Sequence, residues 1–279
     1  MKKIRTLARN RVAVEIVRFF RLGFLFKLIY FRIFRPRSGT KALEFNGIQT
    51  RFNALNYEDL NTLDTILIQG AMDERLTLTA LLDMLKPGDV ALDIGAYHGL
   101  HTVFMAKKVG PRGKVIALEP DPKNFEGLRA NIRLNDLPQA IAFQLALGDK
   151  IEDKPLFRST KKTGASVSLV EKNGSHSPSS VKVVTGDFLL SSRKLPGPKA
   201  VKIDVEGYEY STLLGLKKTL ARKTTRLVCC EIHPQLIPDG VTPDMILSLL
   251  KRLGFSRIST TARGGEIHAI CSKVQKGFK

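Results

Sequence analysis

Val90-Ala-Leu-Asp-Ile-Gly-Ala-Tyr-His-Gly99, followed after an apolar helical run by Lys114-Val-Ile-Ala-Leu-Glu119-Pro120-Asp121, is the stretch that decides the fold. Each half begins as a short apolar strand pattern; the first breaks into a small-residue turn and the second closes on an acid. A strand, turn, helix and second strand of this length form a βαβ unit, whose right-handed crossover makes the two strands parallel. Gly95 and Ala96 let the backbone approach a ligand, and Gly99 admits close packing of the helix. A dinucleotide fingerprint would carry a second glycine where Tyr97 stands, baring amides for a pyrophosphate. Asp93 precedes the turn instead, and a carboxylate there suits a cofactor with an amino-acid end, whose ammonium it accepts from, better than it suits NAD. Glu119 closes the second strand where a ribose diol finds a two-point acceptor.

Outward from this unit the apolar runs alternate in length and period. They predict strands over 90–94, 114–119, 141–147, 200–204 and 227–233, with helices over about 99–109, 122–135, 208–221 and 242–253. The expected fold is therefore α/β, Rossmann-like, with a doubly wound, mostly parallel sheet. Residues 255–261 and 266–272, separated by Ala-Arg-Gly-Gly, read as a C-terminal antiparallel hairpin. Before the sheet, 40–89 reads as a lead-in strand near 43–52 and a helix over 73–85. The main domain is expected over 90–279, with a β-rich insertion at about 151–198, a natural place for a lid or a substrate-recognition surface.

The chain has 279 residues, 43% hydrophobic and 25% charged, with no Trp, a globular composition. Its formal charge of +19 is uneven. Residues 1–37 carry eleven Lys and Arg against Glu15 alone, so more than half of the net charge sits in this segment. Over 12–34 charges interrupt the apolar residues too often for a membrane span or an export signal. On a helix Arg11, Arg18, Arg21, Arg32 and Arg35 share one sector, opposite Phe19, Phe26, Tyr30 and Phe34. Residues 1–39 are thus expected as a basic amphipathic helix, either lying on an anionic membrane surface or packed on the domain. Cys229, Cys230 and Cys271 show neither a disulfide nor a zinc spacing and read as buried small residues in a cytoplasmic protein.

Two further motifs bring acids to strand ends. Val201-Lys-Ile-Asp204-Val-Glu206-Gly207-Tyr-Glu209 places Asp204 and Glu206 at the carboxyl edge of the sheet, where open α/β sheets bind ligands. Cys229-Cys-Glu231-Ile-His233-Pro234 puts Glu231 and His233 on one face of the next strand, and ionisable groups there are costly unless used or paired.

With DIGAYHGLHT, EPDPKNFEGLRANIRLN, LALGD, KIDVEGYE and EIHP in this order, residues 85–272 resemble the FkbM family of methyltransferases. The resemblance implies a class I methyltransferase fold and S-adenosyl-L-methionine as cofactor, with transfer of its methyl to a hydroxyl oxygen. It maps the cofactor contacts onto Asp93, Gly95, Ala96, Gly99, Glu119 and Asp204, with Ala146 beside the adenine. The chain departs from the family pattern at Tyr97-His98 and at Gly186-Asp187-Phe188, where an acidic acceptor contact is usual.

Candidate catalytic groups are Asp204, Glu206, Glu231 and His233: the imidazole as general base, Asp204 and Glu206 as orienting groups for an acceptor hydroxyl. No metal is assigned; a divalent ion on the same acids is the alternative. The expected acceptor is a glycan, a lipid-linked sugar or another small hydroxylated molecule, with a membrane-peripheral enzyme placed near lipid-linked substrates. RNA methylation through the basic N-terminal segment is the rival reading, and a non-enzymatic scaffold a third.

Overall fold

The computed structural model describes residues 32–34, 36–55, 63, 72–159, 167–171 and 175–274. The basic amphipathic helical segment expected over 1–39 therefore lies largely outside the described residues. The chain divides into two compact units, residues 1–43 with 51–70, and residues 44–50 with 71–279. In the first, the described backbone includes most of strand β1 (Thr40–Phe45) and the end of β2 (Ile48–Asn53), which form a two-stranded sheet. A single lead-in strand was expected here; Asn46-Gly47, both at positive φ, turn the chain into a hairpin instead.

The second unit holds the main sheet. Its elements are α1 (Met72–Met84), β3 (Val90–Ile94), α2 (Leu100–Val109), β4 (Lys114–Leu118), α3 (Pro122–Leu134), β5 (Ala140–Phe143), β6 (Ala146–Leu147), β7 (Glu152–Ser159), β8 (Val167–Ser168), β9 (Ser175–Val184) and α4 (Gly186–Ser192). They continue with β10 (Ala200–Asp204), α5 (Glu209–Gly215), α6 (Lys217–Ala221), β11 (Leu227–Ile232), α7 (Pro243–Arg252), β12 (Arg257–Arg263) and β13 (Glu266–Ser272). Seven strands pair in the order β12-β13-β11-β10-β3-β4-β5. β3 pairs in parallel with β4 on one side and with β10 on the other, so the chain's direction of progress reverses between β3 and β10. That reversal opens a crevice beyond the carboxyl ends of these two strands, the usual ligand position in doubly wound sheets.

The structure departs from the sequence pattern at three places. The run 141–147 is not one strand: it leaves the main sheet after Phe143, and Ala146–Leu147 pairs with β9 in a separate four-stranded sheet, β6-β9-β7-β8. The helix expected over 208–221 breaks at Leu216, giving α5 and α6. The closing hairpin exists, but β13 lies between β12 and β11 and is antiparallel to both, so β12 runs with the central strands and α7 is its crossover.

Register separates the two faces of the sheet. Leu92, Val201 and Val228 align across three strands, as do Ile94, Ile203 and Cys230, and this face forms the main core with Leu213, Leu220, Ile246 and Leu250 from the helices that follow β10 and β11. Each such fully buried aliphatic side chain contributes about 1.5–3 kcal/mol. The opposite face carries Asp93 beside Lys202, and Asp204 beside Glu231 and His268, in two adjacent rows.

Gly95 holds the strand ends together. It sits at φ 74, and a Cβ there would lie 1.7 Å from the carbonyl oxygen of Asp204. Its smallness thus serves the approach of β10 as well as any ligand. Gly95→Ala should cost about 2–4 kcal/mol, combining a left-handed backbone with a backbone collision. Gly240→Ala, at φ 82 with nothing within 4 Å of its Cβ, should cost only about 1 kcal/mol. Urea denaturation of the two variants measures the difference, and equal losses would show that the Gly95–Asp204 approach is not a constraint.

Candidate active site

On the β3–β4 side of the crevice, the turn after β3 is fastened by its own backbone. Gly95 N and Ala96 N both donate to Leu118 O, and Tyr97, at φ 50, donates its N–H to Glu119 Oε2 at 2.8 Å. Glu119 Oε1 accepts from Asp121 N at 3.0 Å and more weakly from Asn124 Nδ2. Asp121 caps α3 through Asn124 N, with Pro122 in the first turn. Glu119 is buried, not displayed at an open strand end. Burial pushes its pKa up to about 7 against the pull of the amides of Asp121 and Tyr97. Gly99, at φ 84, leaves room for Leu128 of α3, whose Cδ1 a Cβ would meet at 2.6 Å.

Asp93 lies deeper, wholly buried beneath α2. Its Oδ2 accepts from Thr102 Oγ1 at 2.5 Å, and its Oδ1 has no hydrogen-bond donor, the nearest cation being Lys202 Nζ at 3.9 Å. Lys202 donates to Gly95 O at 3.0 Å and to Asp204 Oδ2 at 3.1 Å. Burial works against its charge, but Asp204 and Asp93 outweigh that and raise its pKa. Partial burial works against the charge of Asp204, but Lys202 and His233 hold its pKa below the ordinary carboxylate range.

On the β10–β11 side, four carboxylates surround one imidazole. His233 Nδ1 is 2.8 Å from Glu209 Oε1, an oxygen that also accepts Gly207 N at 2.9 Å. An ionised carboxylate only accepts, so the shared proton sits on Nδ1, and Nε2 is the nitrogen presented to the crevice. Around Nε2 lie Glu231 Oε1 at 3.7 Å, Asp204 Oδ1 at 3.8 Å and Glu206 Oε2 at 3.9 Å. Burial alone would lower the pKa of His233; the Glu209 bond, Asp204 and Glu206 overcome it and bring it to about 10. A near-neutral imidazole base, as expected from the sequence, does not suit that environment. Glu231 is raised to about 9 by burial and by the charges of Asp204 and Glu74.

The small sheet is tied to both sides. Arg158 of β7 pairs with Asp121 at the start of α3, and Ser168 of β8 donates Oγ to Glu206 O at 2.6 Å. Ala146, expected beside an adenine, is buried in this sheet's core with Leu156, Val181 and Val183. At the second departure from the family pattern, Asp187 accepts from Lys218 N and Thr219 N and fastens the start of α6. That acid is used structurally.

The profile of the methyltransferase FkbM domain matches residues 93–257, more than half of the chain. The chain belongs to the FkbM methyltransferase family. Hexuronic acid methyltransferase AglP of Haloferax volcanii is 29% identical over 204 residues, covering 71% of this methyltransferase and 77% of the relative. Among solved structures, precorrin-6y C5,15-methyltransferase of Geobacter metallireducens matches at 15% identity and a TM-score of 0.45, covering 75% of this chain and 91% of that one. TYW2 of P. horikoshii in complex with MeSAdo matches at 13% identity and a TM-score of 0.43, covering 88% and 80%. Both likenesses are distant. The fold is that of the class I methyltransferases, and the enzyme is an S-adenosylmethionine-dependent methyltransferase.

The crevice suits that cofactor chemically. Asp93 Oδ1 is a buried acceptor without a donor, the kind of atom an ammonium satisfies. Glu119 Oε2, holding the Tyr97 amide, keeps a lone pair for a diol hydroxyl, and Oε1 offers a second point where its weak contact with Asn124 Nδ2 gives way.

Sequence reasoning overlooked Lys202, Glu209, His101 and Glu74. Lys202 had a signal, since in the apolar strand Ala-Val-Lys-Ile-Asp it shares a face with Asp204. His101, its pKa lowered to about 3 by burial and by Lys202, is neutral 3.5 Å from Glu74 of α1; nothing in the spacing announces that pairing. Lys202→Met should destabilise the methyltransferase by about 3–5 kcal/mol, because wholly buried Asp93 and partly buried Asp204 would lose the ammonium between them. Chemical denaturation checks this, and a loss below 1 kcal/mol would contradict the role given to the ammonium.

Proposed function

We propose that the enzyme is an O-methyltransferase whose acceptor is a hydroxyl of a glycan, a lipid-linked sugar or another small hydroxylated molecule. The observation that carries this reading is the set of carboxylates, Asp204, Glu206 and Glu231, at the carboxyl ends of β10 and β11 beside the Gly95 turn. Carboxylates accept hydrogen bonds from sugar hydroxyls, whereas the same acids repel a nucleic-acid backbone. The RNA rival therefore loses ground at the site, whatever the basic N-terminal segment does. The relation to a hexuronic acid methyltransferase supports a sugar acceptor.

In this reading Gly95, Ala96 and Gly99 shape the turn along the cofactor, Asp93 receives its ammonium, Glu119 takes the ribose diol and Ala146 borders the adenine. S-adenosylmethionine supplies a methyl group already electrophilic on its sulfonium. Asp204 borders the cofactor's reactive end and, with Glu231 and His233, orients the acceptor oxygen. Glu206, at the end of β10 beside them, receives the hydroxyl proton. Residues 1–37 are assigned to an anionic membrane surface on composition alone; among the described residues no helix is long and apolar enough to cross a membrane.

The test is the fate of the methyl group. Incubated with methyl-labelled cofactor and the glycan, lipid and RNA fractions of its host, the enzyme should label a glycan or a lipid-linked sugar as an ether. Label confined to RNA would overturn the acceptor assignment. The cofactor half has its own measurement. A ribose diol binds the ionised form of Glu119, so calorimetric affinity for S-adenosylmethionine should fall as pH drops below about 7. Glu119→Gln should weaken binding at least about 30-fold, or ~2 kcal/mol, and flatten that profile. Unchanged affinity in the folded variant would remove Glu119 from the ribose site.

A further inference from the structure

We infer that Asp204, Glu231 and His233 form a divalent-cation site on the acceptor side of the crevice, with Glu209 as the residue that positions the imidazole. The inference deepens the acceptor reading above and rests on it for the ion's use, but not for its binding.

The geometry converges on one point. The three side chains each offer a donor atom, and these atoms all lie within 4.8 Å of one another. Each carboxylate divides its two oxygens. Asp204 gives Oδ2 to Lys202 and turns Oδ1 toward His233 Nε2, while Glu231 turns Oε1 toward Nε2 and Oε2 toward His268. At 3.7 and 3.8 Å these oxygens are too far from Nε2 for hydrogen bonds. Two donors on one ion, each about 2.1 Å from it, stand roughly 3–4 Å apart.

The imidazole is prepared in the manner of a metal ligand. Histidines that bind metals donate their other ring N–H to a carboxylate or a carbonyl, which fixes tautomer and orientation. Glu209, wholly buried, does this at Nδ1 and is itself held by Gly207 N, and an ion taking Nε2 displaces the proton that the surrounding acids otherwise keep there. The strands add rigidity: Asp204 and Glu231 are direct neighbours in the β10–β11 register. Charge argues the same way. Asp204, Glu206, Glu209 and Glu231 gather around one ring, and Lys202, the fixed cation beside them, is already committed to Asp204 and Gly95.

The site is also reachable. The side chains of Asp204 and Glu231 keep 29% and 17% of their exposure, so an ion can enter and retain open positions. Two carboxylates and one imidazole suit Mn2+, Mg2+ or Zn2+. The open positions would take neighbouring oxygens of the acceptor, a hydroxyl together with a second hydroxyl or a sugar carboxylate. An acidic sugar could then approach a wall of acids that would otherwise repel it. A second trio, Glu231, Glu266 and His268, shares Glu231 and competes for it; the Glu209–His233 bond favours the first.

Mn2+ titrated into the EDTA-stripped full-length protein, without acceptor or cofactor, tests the site by the loss of the free-ion EPR signal. One equivalent should bind, with an imidazole nitrogen coupling in the pulsed spectrum. Asp204→Asn and Glu231→Gln should each weaken binding at least tenfold, and Glu209→Gln by about 10–100-fold. His233→Asn should abolish the nitrogen coupling, and His268→Asn should preserve it. No stoichiometric binding, a wild-type spectrum without nitrogen coupling, or a coupling lost with His268 but kept without His233 would overturn the inference. The wild-type spectrum decides even if a variant fails to fold. Sugar methylation undiminished in EDTA would refute the ion's use and leave the acceptor reading standing, whereas a bound ion with no sugar methylation would do the reverse.

Discussion

Lys202 places a permanently charged ammonium inside a strand, and the rest of the site is arranged around the need to satisfy it. Its three nearest polar partners are Gly95 O, Asp204 Oδ2 and Asp93 Oδ1, which belong to the two strands on either side of the topological reversal. One side chain therefore ties the cofactor turn to the acid that ends β10. Without it, wholly buried Asp93, which burial already pushes toward its neutral form, and partly buried Asp204 would stand on neighbouring strands with no ammonium between them. With it, both acids stay at the crevice with a cation between them.

Parallel pairing does the rest of the positioning. Because register aligns Asp204 with Glu231, and Glu231 with His268, a row of ionisable groups crosses three strands on one face. The opposite face, carried by the neighbouring residues, is apolar. The strand ends then leave regular geometry together: Tyr97 and Glu206 both adopt left-handed backbone, at φ 50 and 51, where the two chains turn away from the crevice. Such conformations persist only where surrounding contacts determine them. Here the Tyr97 amide is held by Glu119 and the Glu206 carbonyl by Ser168. The small sheet, reaching Asp121 through Arg158 as well, braces both halves of the crevice.

Much of this was legible in the sequence, for identifiable reasons. Strands β3 and β10 were readable to the residue, because Val90–Ile94 and Ala200–Asp204 are apolar runs ended by a glycine turn or an acid. The extent of β5 was not: 141–147 is continuously β-like, and only tertiary pairing reveals that Ala146–Leu147 serves another sheet. Asp204, Glu206, Glu231 and His233 were found as acids and an imidazole at strand ends, and the structure brings them within 3.9 Å of one nitrogen. What spacing could not supply was their electrostatic state. Glu209 stands a short way along from Glu206 in the same motif, yet only the fold shows it buried under His233, where it decides which ring nitrogen faces the crevice.

The proposed chemistry requires the crevice between β3 and β10 to hold the cofactor with its reactive end toward β11. A crystal structure of the complex with S-adenosylhomocysteine measures this directly. It should show the ribose hydroxyls on Glu119 and the sulfur at the mouth between Gly95 and Asp204, facing Glu231 and His233. A nucleoside bound away from Glu119, or a sulfur turned from the β10 and β11 ends, would contradict it.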